Sequence, residues 1–315
     1  MVIGYRMKKV ILTGGTGMIG HALIECLLCK NIEVTLLVRR NSNRIRLLPH
    51  DKRIMIVECD LSQMTNINLP DDKYDAFFHL GWAGTYGDAR NDMYLQNRNI
   101  LYTLDAVNLA HRLGCKVFVG AGSQAEYGRV YEEKLTPFTP VVPENGYGIA
   151  KLCAGQMSRV MAQNYGMRHV WFRILSVYGC YDGEQTLIMS SIIKMSAGKS
   201  PEYTLAEQRW DYLYCEDAAE ALYLGAQKGV DGAVYCLGSG QIRKLREYIE
   251  IIRDAINPNI ELRFGERPYA DKQVMYLCAD ISNLYTDTGF EPKYSFYDGI
   301  QKTLEWYRGR INEKN

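Results

Sequence analysis

A glycine-rich stretch near the start of the chain limits the possible folds more than any other feature. Residues 13–20 read TGGTGMIG and lie between a short apolar run, KKVILT, and a stretch with helical spacing, MIGHALIECLLCK. In such a strand–turn–helix unit, Gly14 allows a tight turn, Gly17 lets the backbone approach a pyrophosphate, and Gly20 lets the helix pack on the strand. The helix N-terminus adds free amides and a positive dipole. This context favours dinucleotide binding over a glycine-rich turn without a ligand.

The rest of the first half alternates strand-like runs with helical stretches. The runs EVTLLV, RIMIVECD, YDAFFHLGW and KVFVGAGS are apolar nearly throughout, which is typical of strands buried on both faces of a parallel sheet. HVWFRILSVYG and AVYCLGSG look like two later strands of the same sheet. This alternation predicts an α/β chain with a Rossmann-type doubly wound parallel sheet.

The later segments are more polar and irregular, and they predict a smaller C-terminal substrate-binding domain. We expect residues 1–178, together with about 205–240, to form an NAD(P)-binding domain. Residues 179–204 and 241–315 are expected to form the smaller domain, which would cover the sheet edge where a ligand sits. Because no low-complexity linker separates the two parts, we expect them to interleave.

Composition and charge exclude several classes of protein. The chain has 315 residues and a net charge of +1, which argues against nucleic acid or a membrane surface as the partner. No apolar run approaches the roughly 18 residues of a membrane span, and the N-terminus does not resemble a signal peptide. Nine scattered cysteines without a secretion signal predict a reducing, cytoplasmic location. Cys26 and Cys29 have CxxC spacing but no second pair or histidine cluster nearby, so we expect structural thiols and no metal.

The end of the second predicted strand bears on the choice of dinucleotide. An acidic residue there would bind the adenosine ribose 2′-hydroxyl of NAD, but Val38 occupies that place and Arg39 and Arg40 follow it. A guanidinium group suits a 2′-phosphate. We therefore favour NADP(H) and keep NAD(H) as an alternative, in which the two arginines form a solvated strand end.

Two polar side chains in the stretch YGIAK could transfer a proton. Tyr147 and Lys151 are four residues apart and would share one helix face. That spacing fits either ordinary helix surface or an acid–base pair, and it does not decide between them.

Many segments, in the right order, resemble the extended short-chain dehydrogenase/reductase family, especially its sugar-nucleotide epimerases, dehydratases and reductases. TGGTGMIG is similar to the family's TGxxGxxG loop, GAGSQAEYG to its Ser/Thr-x-x-x-Tyr-Gly segment, and YGIAK to its YxxxK motif. FRILSVYG resembles its RxxxVYG segment, and EQRWDYLYCEDAAEAL resembles its domain-bridging segment. The resemblance covers nearly the whole chain.

The resemblance implies a set of site residues. It makes Ser123, Tyr147 and Lys151 catalytic: the lysine would hold the nicotinamide ribose and, with the cationic nicotinamide, lower the pKa of the tyrosine, while the serine aligns the reacting oxygen. The predicted cofactor contacts are Gly14, Thr16, Gly17, Met18, Ile19, Gly20, Arg39, Arg40, Asp60, Leu61, Leu80, Gly81, Trp82, Asn97, Tyr147 and Lys151. The predicted substrate contacts are Thr85, Gln124, Glu126, Arg209 and Arg267.

Three of these predictions carry alternatives. Glu126 could equally have a structural role at the strand end. Trp82 could be a core residue. Arg209 lies two residues before Asp211 rather than directly before it, which leaves its match to the family pattern open.

Departures from the family pattern narrow the expected reaction. The acidic pair that follows the catalytic hydroxyl in 4,6-dehydratases is replaced by Gln124 and Ala125, which disfavours dehydration. Ala125 also stands where enzymes that invert carbons three and five have a cysteine. We expect an NAD(P)-dependent oxidoreductase that exchanges hydride at carbon four of a nucleotide-activated sugar, with a 4-keto-6-deoxy sugar reductase favoured on account of the paired arginines.

Two rival functions remain at this point. A sugar-nucleotide 4-epimerase would need the same three catalytic residues. A non-catalytic nucleotide-binding scaffold fits less well, because such proteins commonly lose the tyrosine or the lysine. By family analogy we also expect a homodimer, formed through the helices near 91–113 and after 147.

Overall fold

The computed structural model describes residues 7–69, 73–131 and 134–312. Seven parallel strands form the central sheet, in the order β11-β6-β5-β4-β1-β2-β3. The predicted Rossmann-type doubly wound parallel sheet is confirmed. Its strands are β1 (Lys9–Thr13), β2 (Glu33–Val38), β3 (Ile54–Glu58), β4 (Ala76–His79), β5 (Val117–Ser123), β6 (Arg168–Ile174) and β11 (Ala233–Leu237).

Side chains of these strands alternate between two cores, one on each face of the sheet. On β1, Val10 and Leu12 pack in one core while Ile11 packs in the other, and all three are fully buried. The apolar runs are therefore continuous because both faces are covered. Helix α1 (Met18–Cys29) packs against α5 (Cys215–Lys228), whereas α2 (Met93–Arg112) packs against α3 (Gly146–Asn164).

Strand order reverses between β1 and β4, which are hydrogen-bonded neighbours. The chain runs from β1 outward to β3 and then crosses back to β4 on the other side of β1. In doubly wound sheets, ligands bind at such a switch point, outside the carboxyl ends of the strands. The glycine loop follows β1 directly and so lies at this switch point.

The run HVWFRILSVYG, which we expected to be one strand, is divided at Leu175. Residues before it form β6 in the central sheet, and β7 (Ser176–Tyr178) leaves that sheet to pair with β10 (Tyr212–Tyr214). The Leu175 amide donates to Leu237 O, which keeps the end of β6 aligned with β11 as the chain turns away.

Small sheets and helices surround this exit from the central sheet. Strand β9 (Arg209–Trp210) pairs with β12 (Arg243–Lys244), and β8 (Glu202–Tyr203) pairs with β13 (Arg263–Phe264). The remaining helices are α4 (Leu187–Ser196), α6 (Leu245–Ile256), α7 (Ser282–Thr288) and α8 (Phe296–Asn312). The division into cofactor and substrate domains is functional and stays a prediction.

Within the described ranges, no helix has both the length and the apolar composition that a bilayer crossing requires.

Candidate active site

A cavity of about 590 Å³ lies at the switch point. The glycine loop, the loop after β4, the end of β5, the start of α3 and the segment after β7 line it. It brings together many of the predicted residues: Gly14, Gly17, Met18, Ile19, Gly20, Leu80, Trp82, Thr85, Ser123, Gln124, Tyr147 and Lys151.

The glycine loop has the geometry of a phosphate cradle. Gly14 adopts a φ of 76°, and a Cβ there would lie 2.6 Å from Gly81 N. A Cβ on Gly20 would lie 2.3 Å from Gly14 O, so close packing of helix and loop requires glycine at both positions. No side chain caps α1 at Gly17, which leaves its first amides without a side-chain acceptor beside the cavity. These features fit a bound dinucleotide pyrophosphate.

A buried hydrogen-bond network fixes the turn after β4. Thr13 Oγ1 accepts from the Gly81 amide at 3.1 Å and is hydrogen-bonded to His79 Nδ1 at 2.9 Å. His79 Nε2 lies 3.3 Å from Thr103 Oγ1. Burial lowers the pKa of His79 to about 3, so the imidazole is neutral at physiological pH. The neutral ring bridges Thr13 and Thr103 through hydrogen bonds.

Ser123, Tyr147 and Lys151 meet at one wall of the cavity. Ser123 ends β5 and hydrogen-bonds the Tyr147 side chain. Tyr147 and Lys151 lie on the first turns of α3, whose N-terminus is capped by Asn145. Lys151 Nζ donates to Ala121 O at 2.5 Å and lies 3.8 Å from the centroid of a Trp82 ring. The three residues that were predicted to act together are therefore neighbours at the cavity.

Burial favours the neutral form of both titratable side chains and therefore shifts their pKa values in opposite directions. It lowers the pKa of Lys151 to about 7, against the attraction of Glu126. It raises the pKa of Tyr147, whereas the Ser123 hydrogen bond and the charge of Arg90 act to lower that pKa. In the protein alone Tyr147 is thus a protonated phenol, and the lowered pKa that the resemblance implies, which includes the effect of a cationic nicotinamide, stays a prediction.

The prediction that Glu126 contacts substrate is wrong, and its structural alternative holds. Its side chain is only 1% exposed. It accepts hydrogen bonds from the Ser123 amide at 2.8 Å, from Trp171 Nε1 at 3.0 Å and from Arg173 Nε at 2.7 Å. Glu126 therefore holds the end of β5 in place from behind the cavity.

The prediction for Asn97 is corrected as well. Asn97 is exposed on α2 and does not line the cavity. Asn99, two residues later, is buried, accepts from the Ala83 amide and donates to Ala83 O, both at 2.9 Å. The buried asparagine that holds the loop after β4 is Asn99.

Two of the predicted substrate contacts, Arg209 and Arg267, lie away from the cavity. Arg209 is exposed on β9, and Arg267 Nε lies 3.8 Å from Glu202 Oε2. Neither residue lines the cavity.

The other predicted cofactor contacts lie outside the cavity lining. Arg39 and Arg40 are exposed at the end of β2, and Arg40 Nε lies 3.4 Å from Glu58 Oε1. Asp60 caps the short 3₁₀ helix Leu61–Asn66. Thr16, Leu61 and Gly81 are half-buried.

The polar residues of the cavity wall that sequence reasoning missed include Arg44, Tyr86, Arg90 and Asp182. Arg44 Nη2 donates to Tyr181 O at 2.5 Å, which joins the loop after β2 to the segment after β7. Asp182 is buried, and burial raises its pKa to about 6. None of these four lies in a strand or an α-helix, and their segments have no sequence periodicity, so only the tertiary fold places them here.

This fold and site define a class: dinucleotide-dependent enzymes built on a doubly wound sheet, with a Ser–Tyr–Lys set beside the glycine loop. The model of the NAD dependent epimerase/dehydratase family matches residues 10–238, and the chain belongs to that family.

Individual relatives are similar over nearly their full length. A dTDP-glucose 4,6-dehydratase of Escherichia coli is 26% identical over 342 residues, covering 95% of this chain and 93% of the relative. The structure of a UDP-N-acetylglucosamine 4-epimerase from Methanobrevibacter ruminantium superposes with a TM-score of 0.87 at 24% identity. The match covers 97% of this chain and 100% of the epimerase. The structure of RMD from Pseudomonas aeruginosa, complexed with NADPH, superposes with a TM-score of 0.80 at 22% identity. The match covers 98% of this chain and 99% of RMD.

Proposed function

We propose that the protein is an NAD(P)-dependent oxidoreductase that exchanges hydride at carbon four of a nucleotide-activated sugar. The observation that supports this is the meeting of Ser123, Tyr147 and Lys151 on one wall of a cavity that also includes the glycine loop. The loop provides the pyrophosphate site, and the three side chains provide the proton-transfer site.

The roles of the side chains follow from their chemistry. A bound nicotinamide supplies or accepts the hydride. Tyr147 takes a proton from a sugar alcohol or gives one to a ketone, and its hydrogen bond to Ser123 aligns both hydroxyls on the same oxygen. Lys151 adds positive charge beside Trp82 and hydrogen-bonding capacity toward the nicotinamide ribose.

The surroundings of Ser123 argue against dehydration. Elimination of water needs a further acid next to the catalytic hydroxyl, and Gln124 and Ala125 occupy those places. Glu126, the nearest carboxylate in sequence, is buried in an ion pair with Arg173. The site therefore fits a reaction that stops at hydride exchange.

For the net reaction we favour reduction of a 4-keto-6-deoxy sugar with NADPH. Arg39, exposed at the end of β2, could bind a 2′-phosphate. The second candidate is an NAD-dependent 4-epimerase, and one observation favours it: Arg40 lies beside Glu58, whose carboxylate would repel a 2′-phosphate.

We also propose a cytoplasmic homodimer. Exposed apolar side chains occur along both helices of the α2–α3 pair, as a dimer interface through these helices requires. They are Met93, Tyr94, Leu101, Ile149, Met157 and Val160.

The test measures both net reactions with the same preparation. Purified protein is incubated with NADPH and a nucleotide-activated 4-keto-6-deoxy sugar, and separately with UDP-hexoses, whose epimers are resolved by NMR. Oxidation of NADPH supports the reductase, whereas interconversion of epimers without loss of NADPH supports the epimerase. Tyr147→Phe should lower either rate about 10²- to 10⁴-fold. Tyr165→Phe, at the other end of α3, is the matched control, and equal rates for both variants would refute the assignment of Tyr147.

A further inference from the structure

We propose that Arg90 is a positioning residue that stabilises the phenolate form of Tyr147, providing the permanent positive charge that Lys151 does not. The proposal rests on the proposed function for its catalytic consequence, but the contact between the two side chains is a property of the protein alone.

Arg90 lies closer to the tyrosine ring than the lysine does. Its guanidinium carbon is 4.4 Å from the centroid of the Tyr147 ring, whereas Lys151 Nζ is 5.8 Å away. A cation over an aromatic face is attracted by the ring, and the attraction grows when the ring becomes a phenolate. Because Coulomb energy falls with distance, the shorter distance favours Arg90 over Lys151 as the cation that acts on the ring.

Lys151 is also the weaker source of charge. Its Nζ is hydrogen-bonded to Ala121 O and lies over Trp82, and burial lowers its pKa to about 7. At neutral pH it is thus charged in roughly half of the molecules. Arginine side chains, unlike lysine, are effectively always protonated in folded proteins at physiological pH.

The loop that carries Arg90 is fixed to the helix that carries Tyr147. Arg90 lies in the short 3₁₀ helix Gly87–Asn91. The next side chain, Asn91, accepts from the amide of Gly146, the first residue of α3, at 3.1 Å. On the other side, the buried Gln96 donates to Ala89 O at 2.8 Å. The chain is therefore anchored on both sides of Arg90, next to the helix that carries Tyr147.

Other groups that face Tyr147 do not replace this charge. Ser123 contributes a neutral hydrogen bond, and Tyr86 and Glu126 act against ionisation. In the part of the chain that the structure describes, no carboxylate oxygen lies within 4.0 Å of a nitrogen of the Arg90 guanidinium.

The direct test is the titration of the Tyr147 hydroxyl. Protein labelled with ¹³Cζ-tyrosine is followed by NMR, with Tyr147→Phe used to assign the resonance. Arg90→Met removes the charge and keeps an unbranched side chain, Arg90→Lys keeps the charge, and Arg98→Met, on the exposed face of α2, is the matched control. We expect Arg90→Met to raise the pKa of Tyr147 by about one unit, Arg90→Lys to restore at least half of that shift, and Arg98→Met to leave it unchanged.

Activity gives a second readout. The limb of the pH profile of kcat/KM that reports ionisation of Tyr147 should move upward by the same unit in Arg90→Met, with rates below that limb about tenfold lower. Equal titration of Tyr147 in wild type and Arg90→Met would overturn the proposal, as would a wild-type phenol that stays protonated until the protein unfolds. If the shift is found but no nucleotide sugar is turned over, the proposed function fails while the contact between Arg90 and Tyr147 stands.

Discussion

Replacing Glu126 by glutamine tests whether the end of β5 depends on its buried ion pair. Glu126 is 1% exposed and its partner Arg173 is 3% exposed. The carboxylate accepts from Arg173, Trp171 and the Ser123 amide at 2.7–3.0 Å. Glu126→Gln removes the negative charge and replaces one acceptor oxygen by a donor, so at least one buried donor loses its partner.

The magnitude follows from the burial. Breaking a buried pair on one side leaves an uncompensated charge, which typically destabilises a protein by about 3–5 kcal/mol. With an unfolding entropy near 2.1 cal/mol/K per residue, a chain of this length should lose about 5–8 °C in melting temperature. The exposed pair Lys244–Glu207, with nitrogen and oxygen 2.7 Å apart, is the matched control. Glu207→Gln should change stability by about 0–1 kcal/mol.

The assay is urea unfolding of wild type, Glu126→Gln, Arg173→Met and the double variant. Because the double variant contains no uncompensated charge, its loss of unfolding free energy should be smaller than the sum of the two single losses by about 2 kcal/mol or more. A loss for Glu126→Gln no greater than that for Glu207→Gln would refute the structural role of Glu126. Strictly additive losses would refute the pairing with Arg173.

Three further predictions concern the cofactor loop, Lys151 and cofactor choice. Gly20→Ala, whose Cβ would lie 2.3 Å from a backbone oxygen, should weaken dinucleotide binding at least about tenfold by calorimetry, while Gly309→Ala, with open space around it, should not. Lys151 loses its proton near pH 7 when folded but near 10.5 when unfolded, so the unfolded chain binds more protons in this window and the contribution of Lys151 to stability rises with pH. Lys151→Met should therefore stabilise the cofactor-free protein in thermal melts by about 2–3 kcal/mol more at pH 6 than at pH 9, and a pH-independent effect would contradict the lowered pKa. Arg39→Ser should raise KM for NADPH about tenfold and leave KM for NADH unchanged. Arg40→Ser should have a smaller effect, because the neighbouring carboxylate of Glu58 offsets the charge of Arg40. An equal rise in KM for both cofactors would exclude a 2′-phosphate contact.

Features set by local sequence were predictable. The glycine loop, the continuous apolar runs of the central strands and the YxxxK spacing each follow from backbone geometry over a few residues. The glycine loop and the apolar runs were sufficient to predict the parallel sheet. The meeting of Ser123, Tyr147 and Lys151 was expected only from the family resemblance, because the YxxxK spacing alone did not decide the role of that pair.

Features set by tertiary contacts were not predictable. Asn97 and Asn99 lie two residues apart on α2, and only the direction of the helix decides which of them faces the loop after β4. The role of Glu126 depends on Arg173, which is 47 residues away in sequence. Arg90 lies in a segment without periodicity, and its position over Tyr147 results from contacts with two different helices.

The edge strand β11 has a consequence for synthesis of the chain on the ribosome. It completes the central sheet beside β6, yet it ends 63 residues after β6 ends, at Leu237 rather than Ile174. At a translation rate of about 5–20 residues per second, β11 is synthesised roughly 3–13 s after β6. Until then the hydrogen-bonding edge of β6 is open to other strands. Helix α5, which packs against α1, is translated just before β11. The face of α1 that α5 covers is therefore exposed over most of the same interval. During this interval the nascent chain has an open sheet edge that favours aggregation, although Ser123, Tyr147 and Lys151 have already been translated.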